Sequence, residues 1–385
     1  MASAQQVRPE TAIIAHILPF PGIGGTELQT LRLVETARSL GYNNVVYYPD
    51  QALIVRDLFE DHHFETEAYP QIQPSLHAPM PFLKASREIA RSLRRRRVRL
   101  IHCADILAAH FAGIGARMAG ARVVSHVRNP YPDLSRRERA VLLNVHQFVF
   151  ISKAVREALC LPSRRKNGPV IYDVPGAMVA AVRSRAESRR FFGLPDAAPV
   201  VGVAARLSPQ KDYPTLIRAA KILAEALPDV RFLVAADTSD QLNREYIQQS
   251  QSLIEETGMR AHFHFPGFQK DMSWFFAAID CLALSSNVEG LGSVLLDGIR
   301  HGTPLVGTNV DGIPEVILDE QTGLLSRPHS PDHLAAQIRR LLTDRALATR
   351  LRSAASAHLE NTFGEERFVR QIRDFYSSFN LRTQP

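Results

Sequence analysis

Two pairs of charged residues stand out by type and spacing. Arg206 and Lys211 lie five positions apart in "ARLSPQKDY", directly after the apolar run "VVGVAA". Two cations converging at a strand end suit a diphosphate; the alternative is two surface cations. Glu289 sits in a glycine-bearing stretch, "SSNVEGLGSVLLDGIRHGTP", and Asp297 follows eight residues later. That stretch reads as a strand end, a loop and a helix starting near Gly290. The amides of Gly290, Leu291 and Gly292 would then point at a phosphate or a sugar oxygen. A phosphate would repel the Glu289 carboxylate beside it, so Glu289 must face something neutral and hydroxyl-bearing, such as a sugar ring. Asp297, one to two turns into the helix, can accept from vicinal hydroxyls such as those of a ribose. The alternative is a capping acid and an ordinary helical acid. Sugar, diphosphate and ribose together make a nucleotide-sugar.

A second glycine-bearing turn occurs early, in "PFPGIGGTE". Gly22, Gly24 and Gly25 lie between a strand and a helix, where bare backbone lets an anion come close to the amides. The spacing is not G-x-G-x-x-G. Asp50 near the next strand end keeps a dinucleotide reading open.

These residues need a scaffold, and the chain spells one. Short apolar runs alternate with amphipathic helical stretches: "TAIIAHIL", "NVVYY", "VRLIHC", "RVVSHV", "HQFVFIS", then "VVGVAARL", "VRFLVAA", "AHFHFPG", "IDCLALSS", "TPLVGT" and "TGLLS". Such alternation implies parallel sheets covered on both faces. The pattern breaks over residues 171–199, so two doubly wound halves are expected: residues 1–175, and residues 176–362, with a terminal helix in 363–385 crossing back to the first. Ligands of open parallel sheets sit beyond the carboxyl ends of the strands. The distinctive residues all fall in loops leaving strands: "PFPGIGG", "HVRNPYPD", "ARLSPQKD", "SSNVEGLG" and "TNVDGIPE".

Composition excludes several classes. The 385 residues are 45% hydrophobic, enough for two cores. Three cysteines stand far apart with no CxxC, which suits a reducing compartment and neither a metal set nor a disulfide framework. The first apolar run is too short to span a bilayer and no leader is apparent, so a cytoplasmic protein is expected. Residues 1–175 carry 23 lysines and arginines against 15 acids, and the remainder 23 against 24. The excess is densest in "RSLRRRRVRL". It reads either as a patch for an anionic membrane or phosphate-bearing acceptor, or as a solvated helix end. Without interleaved aromatics it does not suggest nucleic acid.

The set "GGTE", "SHVRN", "ARLSPQKD" and "EGLGSVLLDGIRHGTPLVGT" resembles the retaining glycosyltransferases of family four, in order over nearly the whole chain. The resemblance implies a GT-B fold, two Rossmann-like domains with a cleft between them. It implies a sugar moved from a nucleotide-diphosphate donor to a hydroxyl of a sugar, lipid-linked or polysaccharide acceptor, with no metal or other cofactor. Surface polysaccharide or glycolipid synthesis, including lipopolysaccharide, is the expected setting. Arg206 and Lys211 would hold the diphosphate and Glu289 the sugar hydroxyls, with Asp297 at the ribose. The Gly24–Gly25 turn would approach the donor phosphate, and His126 of "SHVRN" the donor sugar. Departures from the family pattern are Asp297 for a longer glutamate, Asp311 for one of two glycines before "IPE", and Gly298 for a mid-helix alanine. A GT-B epimerase, an NAD-dependent oxidoreductase and a sugar-binding protein without chemistry are the alternatives.

Overall fold

The computed structural model describes residues 13–75, 79–176 and 183–381. The chain divides into two compact units after Asp173, and from Glu366 onward it belongs with the first unit again.

The first unit holds one parallel sheet. Its strands are β1 (Ile13–Ile17), β2 (Asn43–Pro49), β3 (Glu65–Tyr69), β4 (Val98–Cys103), β5 (Arg122–Val127) and β6 (Gln147–Phe150). They lie in the order β3-β2-β1-β4-β5-β6. β1, β4 and β6 are almost wholly buried, as apolar strands of a sheet covered on both faces must be. β3 is the exception. It is an edge strand of sequence ETEAY, with only Tyr69 buried, and is held by backbone pairing to β2. With no apolar periodicity it lay outside the expected strands.

The second unit repeats the winding. β7 (Val200–Ala204), β8 (Arg231–Ala235), β9 (Phe263–His264), β10 (Cys281–Leu284), β11 (Leu305–Thr308) and β12 (Leu324–Ser326) run in the order β12-β11-β10-β7-β8-β9. Read from the β9 edge, this is the same order as in the first unit. Its core packs Val201, Val203, Phe232, Val234, Ala283 and Val306 against Leu216, Ala220 and Leu223 of helix Tyr213–Ala226. In both sheets the strand order reverses at one point, between β1 and β4 and between β7 and β10. The loops leaving the two strands there go to opposite faces and open a crevice.

The terminal helix, Glu365–Ser377, buries Phe368, Ile372, Phe375 and Tyr376. The Tyr376 hydroxyl lies 2.8 Å from His102 Nδ1 on β4, and Gln371 Nε2 donates to the Val170 carbonyl at 3.2 Å. His102 is the middle of three buried histidines on neighbouring strands. Its ring stacks on His16 of β1 at 5.8 Å and tilts against His126 of β5 at 5.5 Å. Among the described residues no helix is long and apolar enough to cross a membrane.

Candidate active site

The switch point of the second unit brings together three of the residues singled out by sequence. Arg206 and Lys211 leave β7, and Glu289 leaves β10. The backbones of these two loops are stitched to each other. Asn287 N–H donates to the Gln210 carbonyl at 2.8 Å, and the Ser285 hydroxyl donates to the Lys211 carbonyl at 2.7 Å. Lys211 ends a 3₁₀ turn, Pro209–Lys211. Asp212 then takes a left-handed backbone (φ 44°), and its side chain caps helix Tyr213–Ala226 by accepting from Thr215 N–H at 3.3 Å. So anchored, Lys211 Nζ forms an ion pair with Glu289 Oε2, which also accepts from the Ser286 hydroxyl at 3.2 Å. Both partners are mostly shielded from solvent. The Arg206 side chain is exposed and unpaired among the described residues.

The loop after β11 closes this group from the other side. Asp311 accepts from Glu289 N–H at 2.9 Å, and Gly312 N–H donates to the Glu289 carbonyl at 3.2 Å. Thr308, the last residue of β11, donates its hydroxyl to the Ser286 carbonyl at 2.5 Å. A side chain at Gly312 is impossible without rearrangement: a Cβ there would lie 2.1 Å from the Gly290 carbonyl oxygen. From the loop after β12, His329 reaches Asp212 at 3.2 Å, also from a left-handed backbone (φ 52°).

One expectation about the glycine loop needs correction. The helix begins at Ser293, with Gly292 as its N-cap, and not near Gly290. Gly292 has φ 81°, a conformation that interrupts any helix. The amides of Gly290 and Leu291 therefore belong to a loop, and the Leu291 side chain is buried, leaving only its backbone for a ligand. Asp297 lies a turn into helix Ser293–Arg300, yet one carboxylate oxygen already accepts from Gly176 N–H at 2.6 Å. Arg300, on the same helix face, donates to the carbonyl of that residue. The two side chains clasp the backbone of one residue, Gly176, at its N–H and its carbonyl, near the start of the second unit. Gly298 is explained by close packing, since a Cβ there would lie 2.9 Å from Leu282 and Leu305.

In the first unit the sequence candidates are placed separately. Gly24 is the N-cap of helix Gly25–Ser39, and its N–H donates to Glu27 Oε2 at 3.0 Å, the half of a capping box that needs no N-cap side chain. An added Cβ at Gly22 or Gly25 would meet nothing within 4 Å, so protein packing does not demand glycine at either position. His126, near the carboxyl end of β5, is only 1% exposed. Its ring lies beside the Ile171 backbone without a hydrogen bond of full geometry. Burial, with Arg128 and His102 nearby, holds it well below the ordinary histidine range, so the ring is neutral.

Sequence reasoning missed the group that holds the "HVRNPYPD" loop. Asp105, the buried first acid after β4, caps helix Ile106–Ala119 and accepts the Tyr131 hydroxyl and Arg128 N–H, the latter at 3.3 Å. Burial pushes its carboxyl up against these hydrogen bonds. The Arg128 guanidinium forms a buried ion pair with Asp173 at 2.7 Å. Position was the available signal, since Asp105 follows a strand at the switch point. No group of three or more His, Cys, Asp or Glu side chains among the described residues is arranged to hold a metal ion.

Residues 184–358 match the glycosyl transferases group 1 model, and residues 23–172 match that of glycosyltransferase family 4. The chain belongs to the glycosyl transferases of group 1. It is 28% identical over 223 residues to a D-inositol 3-phosphate glycosyltransferase of Streptomyces avermitilis, covering 55% of this chain and 47% of that protein. It is 29% identical over 191 residues to the lipopolysaccharide core biosynthesis glycosyltransferase LpsE of Rhizobium meliloti, covering 50% and 52%. The chain thus spans about half the length of the curated relatives it matches. Among solved structures, HepE of Anabaena in complex with UDP and glucose superposes with a TM-score of 0.81 at 21% identity, covering 95% and 99% of the two chains. Sucrose-phosphate synthase of Thermosynechococcus elongatus superposes at 0.78 and 19%, covering 97% and 100%. These likenesses identify the fold as GT-B.

Proposed function

We propose that this chain transfers a sugar from a nucleoside-diphosphate sugar to a hydroxyl acceptor, with retention of configuration and without a metal ion. One observation carries the reading. The Lys211–Glu289 pair lies at the switch point of the group 1 unit, joining the loop that carries the exposed Arg206 to the loop that carries Gly290–Gly292. As the glycosidic bond breaks, negative charge grows on the diphosphate. Arg206, Lys211 and the loop amides supply fixed positive charge there, which is electrostatic catalysis. Glu289 leaves Lys211 for the sugar hydroxyls and supports the oxocarbenium-like ring. The acceptor hydroxyl attacks on the face the phosphate leaves, and that phosphate takes its proton, so no protein base is assigned. Asp297 at the ribose, the Gly24–Gly25 turn at the donor phosphate and His126 at the donor sugar complete the assignment on the family resemblance.

UDP is the first nucleotide to test, because HepE of like fold is described with UDP and with UDP-glucose. A phosphorylated or lipid-linked acceptor in surface glycan or glycolipid synthesis agrees with the relatives named for inositol phosphate and lipopolysaccharide core. It also agrees with the basic excess of residues 1–175. Cytoplasmic location, with peripheral contact to an anionic membrane, belongs to the same proposal.

The test is a thermal-shift panel with UDP, GDP, ADP and their sugar conjugates. A ligand bound only by the folded chain raises the midpoint by an amount set by concentration over affinity. A rise with one nucleotide family supports the donor site and names the base. No rise with any nucleotide, set against a rise with NAD or a free sugar, overturns the reading.

A further inference from the structure

We propose that Asp311 is a positioning residue for Glu289, and that its carboxylate does this by holding the Glu289 amide. Its backbone is left-handed (φ 42°), a conformation that costs a side-chain-bearing residue free energy and costs glycine none. Something must offset that cost. Helix capping does not, because the following short helix, Ile313–Val316, has Gly312 as its N-cap and no side-chain cap. What the side chain does make is the 2.9 Å hydrogen bond from Glu289 N–H to Oδ2. The neighbouring Gly312 N–H holds the Glu289 carbonyl at 3.2 Å. One dipeptide therefore brackets the main chain of Glu289 at both its donor and its acceptor. The Glu289 carboxylate, paired with Lys211 and Ser286, is then free to vary only through its own side-chain torsions. Glycine at 311 would adopt the same backbone at no cost but would leave the Glu289 amide without this acceptor. The contribution of Asp311 is thus its carboxylate oxygen, not its conformation.

The kinetic half of this inference rests on the donor-site reading above; the structural half does not. The experiment compares the parent chain with Asp311→Gly and Asp311→Asn in three readouts: amide hydrogen exchange at Glu289 by fragmentation mass spectrometry, thermal midpoint, and turnover of the donor found in the panel. In Asp311→Gly, relief of the backbone opposes loss of the hydrogen bond, so the midpoint should stay within a few degrees of the parent. The Glu289 amide should exchange about tenfold faster, the loss of one hydrogen bond. Turnover should fall about tenfold in kcat with KM little changed, because a misplaced Glu289 weakens the transition state more than the bound donor. Asp311→Asn should restore both, since its amide oxygen still accepts and asparagine tolerates the left-handed region. Unchanged exchange in Asp311→Gly overturns the bracket. Faster exchange with parental turnover overturns its catalytic relevance. A parent that turns over no nucleotide-sugar defeats the donor reading instead, while the exchange data still decide the bracket.

Discussion

Lys211 and Glu289 neutralise each other in a partly shielded spot, so removing either leaves the other with a charge and no partner. Lys211→Ala and Arg206→Ala should each cut turnover by about a hundredfold or more, the scale on which fixed charge at a leaving group acts. Their stabilities should differ. Arg206 is exposed and unpaired among the described residues, so its loss should leave the melting curve in place, whereas Lys211→Ala strands Glu289 and should lower it. Single-turnover assays beside melting curves check both, and parental rates in the two variants would remove the diphosphate assignment. Asp297 has a structural task whatever it does for a ribose, since it holds the Gly176 amide from within hydrogen-bond range.

At the scale of elements, the bracket between the β10 and β11 loops depends on a glycine that no other residue can replace. Gly312→Ala would drive a Cβ into the Gly290 carbonyl, so the loops must part. Overpacking of this kind costs about 1–3 kcal/mol, and in a unit of this size each kcal/mol lowers the midpoint by about 2–4 °C. Melting curves and nucleotide binding measured together would test it; a variant that melts and binds like the parent would show that the loops do not need this contact. Much of this scaffold was legible. Strands such as "VRLIHC" and "RVVSHV" coincide with β4 and β5 because a strand buried on both faces must be an apolar run. β3 was illegible for the converse reason, because a polar edge strand is fixed by backbone pairing to β2 and not by side-chain pattern. The loops bearing Arg206, Lys211 and Glu289 were found by type and position. Their pairing was not, because Lys211 and Glu289 stand 78 positions apart, and Asp311 stands 22 from the amide it holds. Asp311 read as a departure from a glycine pattern, and only the fold gives it a partner.

At the scale of the whole molecule, burial of three neutral histidines makes the first unit sensitive to acid. Burial pushes His16 down to about 4, against a hydrogen bond that its ring donates to Asn44 Oδ1 and that raises it, and holds His102 and His126 well below their ordinary range. Above the ordinary histidine value of 6.5 both folded and unfolded chains are neutral at these positions, and pH has no leverage through them. Below it the unfolded chain takes up protons that the folded one refuses. Stability should therefore fall as pH drops from 6.5 toward 4, by up to about 1.4 kcal/mol per pH unit for each histidine. Urea midpoints of the first unit's transition at pH 7 and pH 5 measure this. His16→Gln should flatten the fall, and equal midpoints in the parent would refute it.

The returning terminal helix also orders events in time. Residues up to Asp173 are synthesised long before Glu366 leaves the ribosome, yet the helix from Glu365 supplies the buried Phe375 and Tyr376 that pack on His102. Until then the patch around His102 lacks this cover and His102 lacks its hydroxyl partner. The nascent first unit therefore waits through synthesis of the entire second unit as an unfinished surface, the interval in which a chaperone would find it.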